Sequence, residues 1–354
     1  MSASSKSSGI QISHSRNFLS WLRSQDISLA LTTYQTSRLM LVGVNNEGKF
    51  SGFERIFNRA MGLYTTDDGE RIYLASRYQL WQLDNSLNAE QLYNNYDKLY
   101  VPRIGYTTGD IDTHDVALDN RGRIIFVSTL FNCLATVSQK HSCTPLWKPP
   151  FIGKIINEDR CHLNGLAMVK GKPAYVTACS QSDVVNGWRE KRREGGCLID
   201  LTQDEIIVTG LSMPHSPRWY RDKLWLLNSG TGELGYINFK DREFQAIAFC
   251  PGYVRGLAFS SNYAIVGLSQ PRNLTFTDLE LQKRLAQKDV SPRCGVMIID
   301  LTTGAVVEWL EFSGVITELY DVQILPGVRQ PMALGFQTDE ISRLLTLDKI
   351  ANLF

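Results

Sequence analysis

Only five histidines occur among the 354 residues, yet two of them, His114 in THDVALD and His215 in PHSPRWY, open similar segments. Asn164 in HLNGLAM, Arg255 in VRGLAF and Tyr320 in LYDVQ hold the same place in three further segments, and Met61 in a sixth. Imidazole, carboxamide, guanidinium and phenol groups hold metals, bind anions and move protons near neutral pH. Three chemistries follow if they converge. Two imidazoles completed by Asn164, Asp115, Glu318 or water make a mononuclear site for a divalent metal such as Fe, Mn or Zn. Without a metal, a histidine and Tyr320 carry protons while Arg255 holds a substrate anion. Without chemistry, the same groups recognise a carboxylate or phosphate. The plain structural alternative is that they satisfy backbone groups in a channel wall.

Neighbouring residues refine this set. Glu318 precedes Tyr320 by two and shares its strand face, which makes it the first carboxylate candidate. His162 stands in the same relation to Asn164, either as a further ligand or as a loop histidine turned to solvent. Asp110-x-Asp112 resembles the start of a calcium loop but lacks the later Gly and Glu, so calcium ranks behind the other metals. An aspartate that orients the His114 imidazole is the simpler use of this acidic run.

The elements that position these residues are a repeat. Each copy has a short apolar run, a turn, a second apolar run and a small polar residue, as in HDVALDNRGRIIFVST and RGLAFSSNYAIVGLS. The copies start at Met61, His114, Asn164, His215, Arg255 and Tyr320, and a third strand follows in several, such as LWQLD and GVMIIDL. Four short antiparallel strands in roughly 50 residues describe a propeller blade. The expected fold is therefore all-β, a single propeller of six blades over residues 27–354, with seven blades or two stacked sandwiches as the alternatives. Strands within 27–57 are expected to complete an unfinished last blade and close the ring. Residues 1–26 form an N-terminal extension with a short amphipathic helix over 16–24.

Two long loops leave equivalent points of their units and are expected on one rim, at 183–193 and 275–290. They supply the competing function, a non-catalytic scaffold that captures a protein or peptide partner. The run Arg189–Arg193 reads as a solvated loop helix, with Trp188 as a lid or contact aromatic.

Composition excludes other classes. Thirty-seven basic and thirty-six acidic residues leave a net charge of +1, with no field for a nucleic acid. No apolar run suggests a signal peptide or membrane span, and seven scattered cysteines without a CxxC pair read as free thiols of a cytoplasmic protein. GxSxG, HExxH, Walker A and dinucleotide motifs are absent.

The segment LNGLAM resembles the NGLA segment of calcium-dependent lactonases of the gluconolactonase and senescence-marker type. That resemblance implies a six-bladed propeller and makes Asn164 a metal ligand. His114 and His215 stand where that family carries acidic ligands. Histidines projecting from blades also resemble those of streptogramin lyases and four-histidine iron carotenoid oxygenases. Over nearly its whole length, through THDVALD, HLNGLAM and PHSPRWY, the chain resembles an uncharacterised bacterial propeller family, sometimes fused to tetratricopeptide repeats. The sequence reading is thus an enzyme, a metal-dependent lyase, hydrolase or oxygenase, acting on a small or peptide-borne anionic substrate. His114, His215, Arg255 and Tyr320 carry the chemistry, and His114, His215, Asn164 and Glu318 hold the metal.

Overall fold

A computed structural model describes residues 9–271 and 278–347. Among the described residues the strands group into six blades, antiparallel except where Pro331–Ala333 runs parallel to Lys98–Thr107 at one outer edge. Their innermost strands are Leu63–Thr65, Thr113–Leu118, Leu163–Val169, Pro214–Tyr220, Tyr253–Ser260 and Asp321–Pro326, numbered here as blades 1 to 6. Each inner strand therefore starts within two residues of a copy expected from the sequence.

Blade 6 explains why residues 27–57 hold strands but no recognisable inner one. Asp321–Pro326 pairs with Ile27–Thr33, from Thr32 opposite Asp321 to Ile27 opposite Pro326, and Arg38–Val44 and Phe50–Ile56 complete the blade. The two ends of the chain thus share one sheet, which leaves no room for a seventh blade and closes the ring without a free inner edge. Ile10–His14 adds a fifth strand to blade 5, opposite Val306–Gly314. The helix Phe18–Gln25 buries Phe18, Trp21 and Leu22 against Leu29, Leu31 and Phe312, so it is anchored on blades 5 and 6.

Second strands such as Ile124–Ser128 and Tyr263–Ser269 are apolar on both faces because each blade is sandwiched between two others. The core between blades 2 and 3, for example, joins Ile125 and Val127 to Leu163, Leu166 and Val176. The small polar residue of the repeat has a structural use. Thr129, Ser229, Ser269 and Thr32 each donate a hydroxyl to a carbonyl of the next blade, at Leu163, Val254, Leu319 and Met61, over 2.6 to 2.9 Å. Close approach explains Gly165, where a Cβ would stand 2.3 Å from Pro217 Cδ of blade 4.

The two long loops do lie on one rim, with Arg189, Glu190, Lys191 and Arg193 exposed as expected of a solvated run, while a few apolar side chains turn inward. Trp188, at the start of the helix Trp188–Lys191, is buried with Leu279, Leu281 and Leu285, the last two on the helix Glu280–Gln287. Cys179, Met213 and Tyr253 at the mouth of the channel complete that cluster. Arg192 pairs with Asp278 at 2.5 Å and ties one loop to the other. Residues 275–277 of the second loop lie outside the described residues. Among the described residues no helix is long and apolar enough to cross a membrane.

Candidate functional site

Blades 2, 3 and 4 turn into their inner strands through the same corner. Asp112, His162 and Met213 all have left-handed φ angles, 55, 53 and 48°, a conformation that costs a non-glycine residue roughly 1–2 kcal/mol. The carbonyls of these three residues accept the backbone N–H of Thr129, Cys179 and Ser229 from the second strands. Two residues on come His114, Asn164 and His215. The corner carbonyl also accepts the imidazole in two blades, with His114 Nδ1 3.0 Å from Asp112 O and His215 Nδ1 2.8 Å from Met213 O. A carbonyl only accepts, so Nδ1 carries the proton in both rings and Nε2 keeps its lone pair.

The two lone pairs have different fates. His215 Nε2 accepts a hydrogen bond from Arg255 Nε at 3.1 Å. Arg255 is itself buried, 9% exposed, with its guanidinium against the rings of Tyr253 at 5.0 Å, Tyr320 at 5.2 Å and Tyr34 at 6.0 Å. Among the described residues no carboxylate lies within ion-pair distance of it. Burial opposes its charge, but Tyr253, Tyr320 and the more distant Glu318 outweigh that, so it remains cationic. His114 Nε2, by contrast, accepts nothing from the described residues, and its ring lies 5.7 Å from that of Tyr320. The Tyr320 hydroxyl is buried and has no partner among the described residues.

Burial dominates the protonation of these groups. It brings the His114 imidazole down to about 4, against the pull of Asp112. It holds His215 well below the usual imidazole range, helped by the charge of Arg255. It pushes the Tyr320 phenol well above its usual value, even with Arg255 alongside. At neutral pH the mouth therefore offers two neutral imidazoles, a protonated phenol and one guanidinium that no carboxylate contacts among the described residues.

His162 is not a loop histidine with its ring on solvent. It is buried, with Nδ1 2.7 Å from Asp159 Oδ2, and the Trp188 indole N–H donates to that same oxygen at 2.8 Å. The indole stacks on the imidazole at 4.1 Å, and His162 meets His114 edge to face at 4.9 Å. Burial pushes the Asp159 carboxyl up, but His162, His114 and the indole together pull it below its ordinary value. The spacing Asp159-x-x-His162 was the available signal for this pair, while Trp188 lies too far along the chain to be joined to it by sequence.

A second ionic layer lies beneath. Arg218 bridges Asp115 at 2.7 and 3.1 Å and approaches Asp321 at 3.9 Å. Asp115 also accepts the N–H of Leu166 in blade 3, and Asp321 that of Leu63 in blade 1. A cavity of ≈ 10 Å³, the room of one water, separates this layer from His114, Asn164, His215 and Tyr320. On the far side Arg218 borders a wide mouth of ≈ 490 Å³ with Tyr64, Trp219, Tyr220 and Phe259 on its wall.

The expected level is thus real for His114, Asn164, His215 and Tyr320, which line one cavity, with Arg255 joined to it through His215. The expected metal ligand set is not assembled. A guanidinium occupies the lone pair of His215, the Asn164 amide faces Cys179 Sγ at 3.6 Å, and Glu318 accepts the Tyr34 hydroxyl. Asp115 is spent on Arg218, and the acidic run pairs with arginines, Asp110 with Arg59 and Arg77 and Asp112 with Arg59. Among the described residues no three His, Cys, Asp or Glu side chains are placed to hold one ion. Met61 is a buried apolar residue of the wall.

In fold, the chain is similar to a protein in a crystal structure of the nidogen/laminin complex, with a TM-score of 0.55 and 10% identity over 85% of this chain and 99% of that one. Two lyase structures are also similar. A catalytically inactive virginiamycin B lyase from Staphylococcus aureus with quinupristin has a TM-score of 0.41 and 11% identity, over 86% of this chain and 99% of that one. A streptogramin B lyase has 0.40 and 11%, over 81% and 76%. No curated protein matches the chain in sequence. Residues 16–334 match the family model DUF4915, described as a domain of unknown function, and the chain belongs to that family.

Proposed function

We propose that the mouth between blades 2 and 6 is an acid–base site for a small or peptide-borne anion, and that it works without a metal. One observation carries the reading: Arg255 is a buried cation with no carboxylate partner among the described residues, and the phenol beside it is unpartnered. A buried charge is costly unless something compensates it, and an incoming carboxylate or phosphate is that compensation. His215 fixes the guanidinium through Nε and Tyr253 hydrogen-bonds with the same side chain, so the anion would take its remaining hydrogens. Tyr320 donates to the same ligand, and His114 Nε2 is a neutral acceptor beside it. The reaction class this supports is proton transfer of the lyase or hydrolase kind.

Calorimetric titration with inorganic sulfate, inorganic phosphate and succinate tests the reading. At least one should bind saturably, and Arg255→Gln should weaken it by about tenfold or more. Protein purified without a histidine tag should carry well below one equivalent of Fe, Mn or Zn. Absence of binding by all three anions, or equal binding by the variant, defeats the anion reading. A full equivalent of metal lost in His114→Ala defeats the metal-free one.

The scaffold reading keeps one observation in its favour. Val184 and Val185 at the tip of the first loop are 68% and 48% exposed. Serine at both positions should abolish capture of a peptide partner and leave anion binding unchanged if that surface is the functional one.

A further inference from the structure

Resting on that reading, we propose that His162 is the proton acceptor of the mouth, with Asp159 as its positioning residue and Trp188 as the latch that holds the pair in place. Three independent contacts converge on it. The carboxylate faces Nδ1 at 2.7 Å, so the proton sits on Nδ1 and the lone pair on Nε2. No hydrogen bond from the described residues reaches that Nε2. The indole covers one face of the ring and donates to the same carboxylate oxygen, and His114 meets the ring edge to face.

The backbone points the same way. His162 is held at φ 53°, where a β-carbon is disfavoured, and its N–H donates to Asp159 Oδ1 at 3.0 Å. One carboxylate thus fixes both the main chain and the ring of this residue. The equivalent corners in blades 2 and 4 carry Asp112, paired with Arg59, and Met213, so blade 3 alone of the three has an imidazole at this point.

Trp188 gives the arrangement a condition. It belongs to the loop tied by Arg192 to Asp278, and its indole N–H reaches Asp159 only while that loop is seated. The chamber beneath holds no more than one water. Displacing the loop removes a donor from Asp159 and the stacking face from His162 together. Proton transfer is then coupled to closure over the bound anion.

Ring ¹⁵N-histidine protein, with His162 assigned through His162→Gln, reads the first half of this by long-range nitrogen–proton spectra. Wild-type His162 should carry its proton on Nδ1. Asp159→Ala should lower the ratio of Nδ1–H to Nε2–H forms by about tenfold or more, the worth of a hydrogen bond to a charged group. Trp188→Phe, which keeps the stack and removes the N–H, should lower it by roughly threefold. A wild-type ring protonated on Nε2, or a ratio unmoved by both variants, overturns the proposal. Neither arm requires an anion, so both stand apart from the reading of Arg255.

Proton uptake reads the second half. The charged and titratable groups facing His162 are Asp159 and His114, with His215 at longer range. Sulfate, which binds no proton near pH 6.5, is titrated in two buffers of different ionisation enthalpy. Uptake on binding should be lost in His162→Gln. Retention in His162→Gln, or sulfate bound by the wild type without uptake, overturns the assignment. Failure of the wild type to bind sulfate counts against the anion site alone, with the tautomer ratio deciding the dyad.

Discussion

Two largely buried arginines occupy the channel a few residues of inner strand apart, and they are wired in opposite ways. Arg218 is neutralised by Asp115 and Asp321, whose remaining lone pairs take backbone N–H groups of four blades. Arg255 has an imidazole and three phenol rings around it and no carboxylate within ion-pair distance among the described residues. A guanidinium whose bonds are all spent inside the fold holds blades together. One whose bonds are left over waits for a ligand. The difference between structure and function here lies in the partners, since the residue type is the same and both side chains are largely withdrawn from solvent.

Removing each side chain breaks that comparison most directly. Arg218→Met strands two buried carboxylates and should cost about 3–5 kcal/mol of unfolding free energy in a urea titration. Arg255→Met strands no carboxylate, and it should cost under about 1.5 kcal/mol or even stabilise the protein while abolishing anion binding. Equal losses for the two variants would mean that Arg255 is a structural cation after all.

A second contrast is the direction in which the two layers respond to pH. Burial and the adjoining Asp115 raise Asp321 to about 7 against the attraction of Arg218. The folded state then holds a proton that the unfolded chain releases near the ordinary carboxylate value, so this group's contribution to stability declines from about pH 4 to about pH 7. His114 is displaced the other way, to about 4. The folded state lacks a proton that the unfolded chain binds, so its contribution grows from about pH 4 to about 6.5. Each slope is at most ~1.4 kcal/mol per pH unit. Unfolding measured from pH 4 to 8 should show Asp321→Asn removing the falling component and His114→Gln the rising one.

How much of this the sequence shows depends on whether a property is periodic. The inner strands recur with the period of the blade, and a residue's place at the head of such a strand follows from that alone. The repeat by itself therefore puts His114, Asn164, His215 and Tyr320 at one level. Which atom of His215 is free does not follow from it, because the answer rests on Arg255, forty residues on in the next blade, reaching back to Nε2. For the same reason the four expected ligands are not gathered around one point among the described residues. Asp159 and Trp188 are hidden differently, since both lie in loops outside the repeated strands.

The smallest effect tests whether the repeat's small polar residue is only a tie. Thr129 and Ser229 hold the same place in blades 2 and 4, and each donates to the following blade at 2.6 Å. Ser229 Oγ also lies 2.9 Å from His215 Nδ1, whereas Thr129 has no such contact with an imidazole. Thr129→Val and Ser229→Ala should each cost roughly 1–2 kcal/mol, since each leaves one buried carbonyl without its donor. Anion affinity should separate them. Thr129→Val should leave sulfate binding as it is, while Ser229→Ala loosens the ring that pins Arg255 and should weaken it by about two- to fivefold. If both variants bind sulfate like the wild type, the Arg255 guanidinium is set by its tyrosine rings, and His215 returns to the wall of the channel.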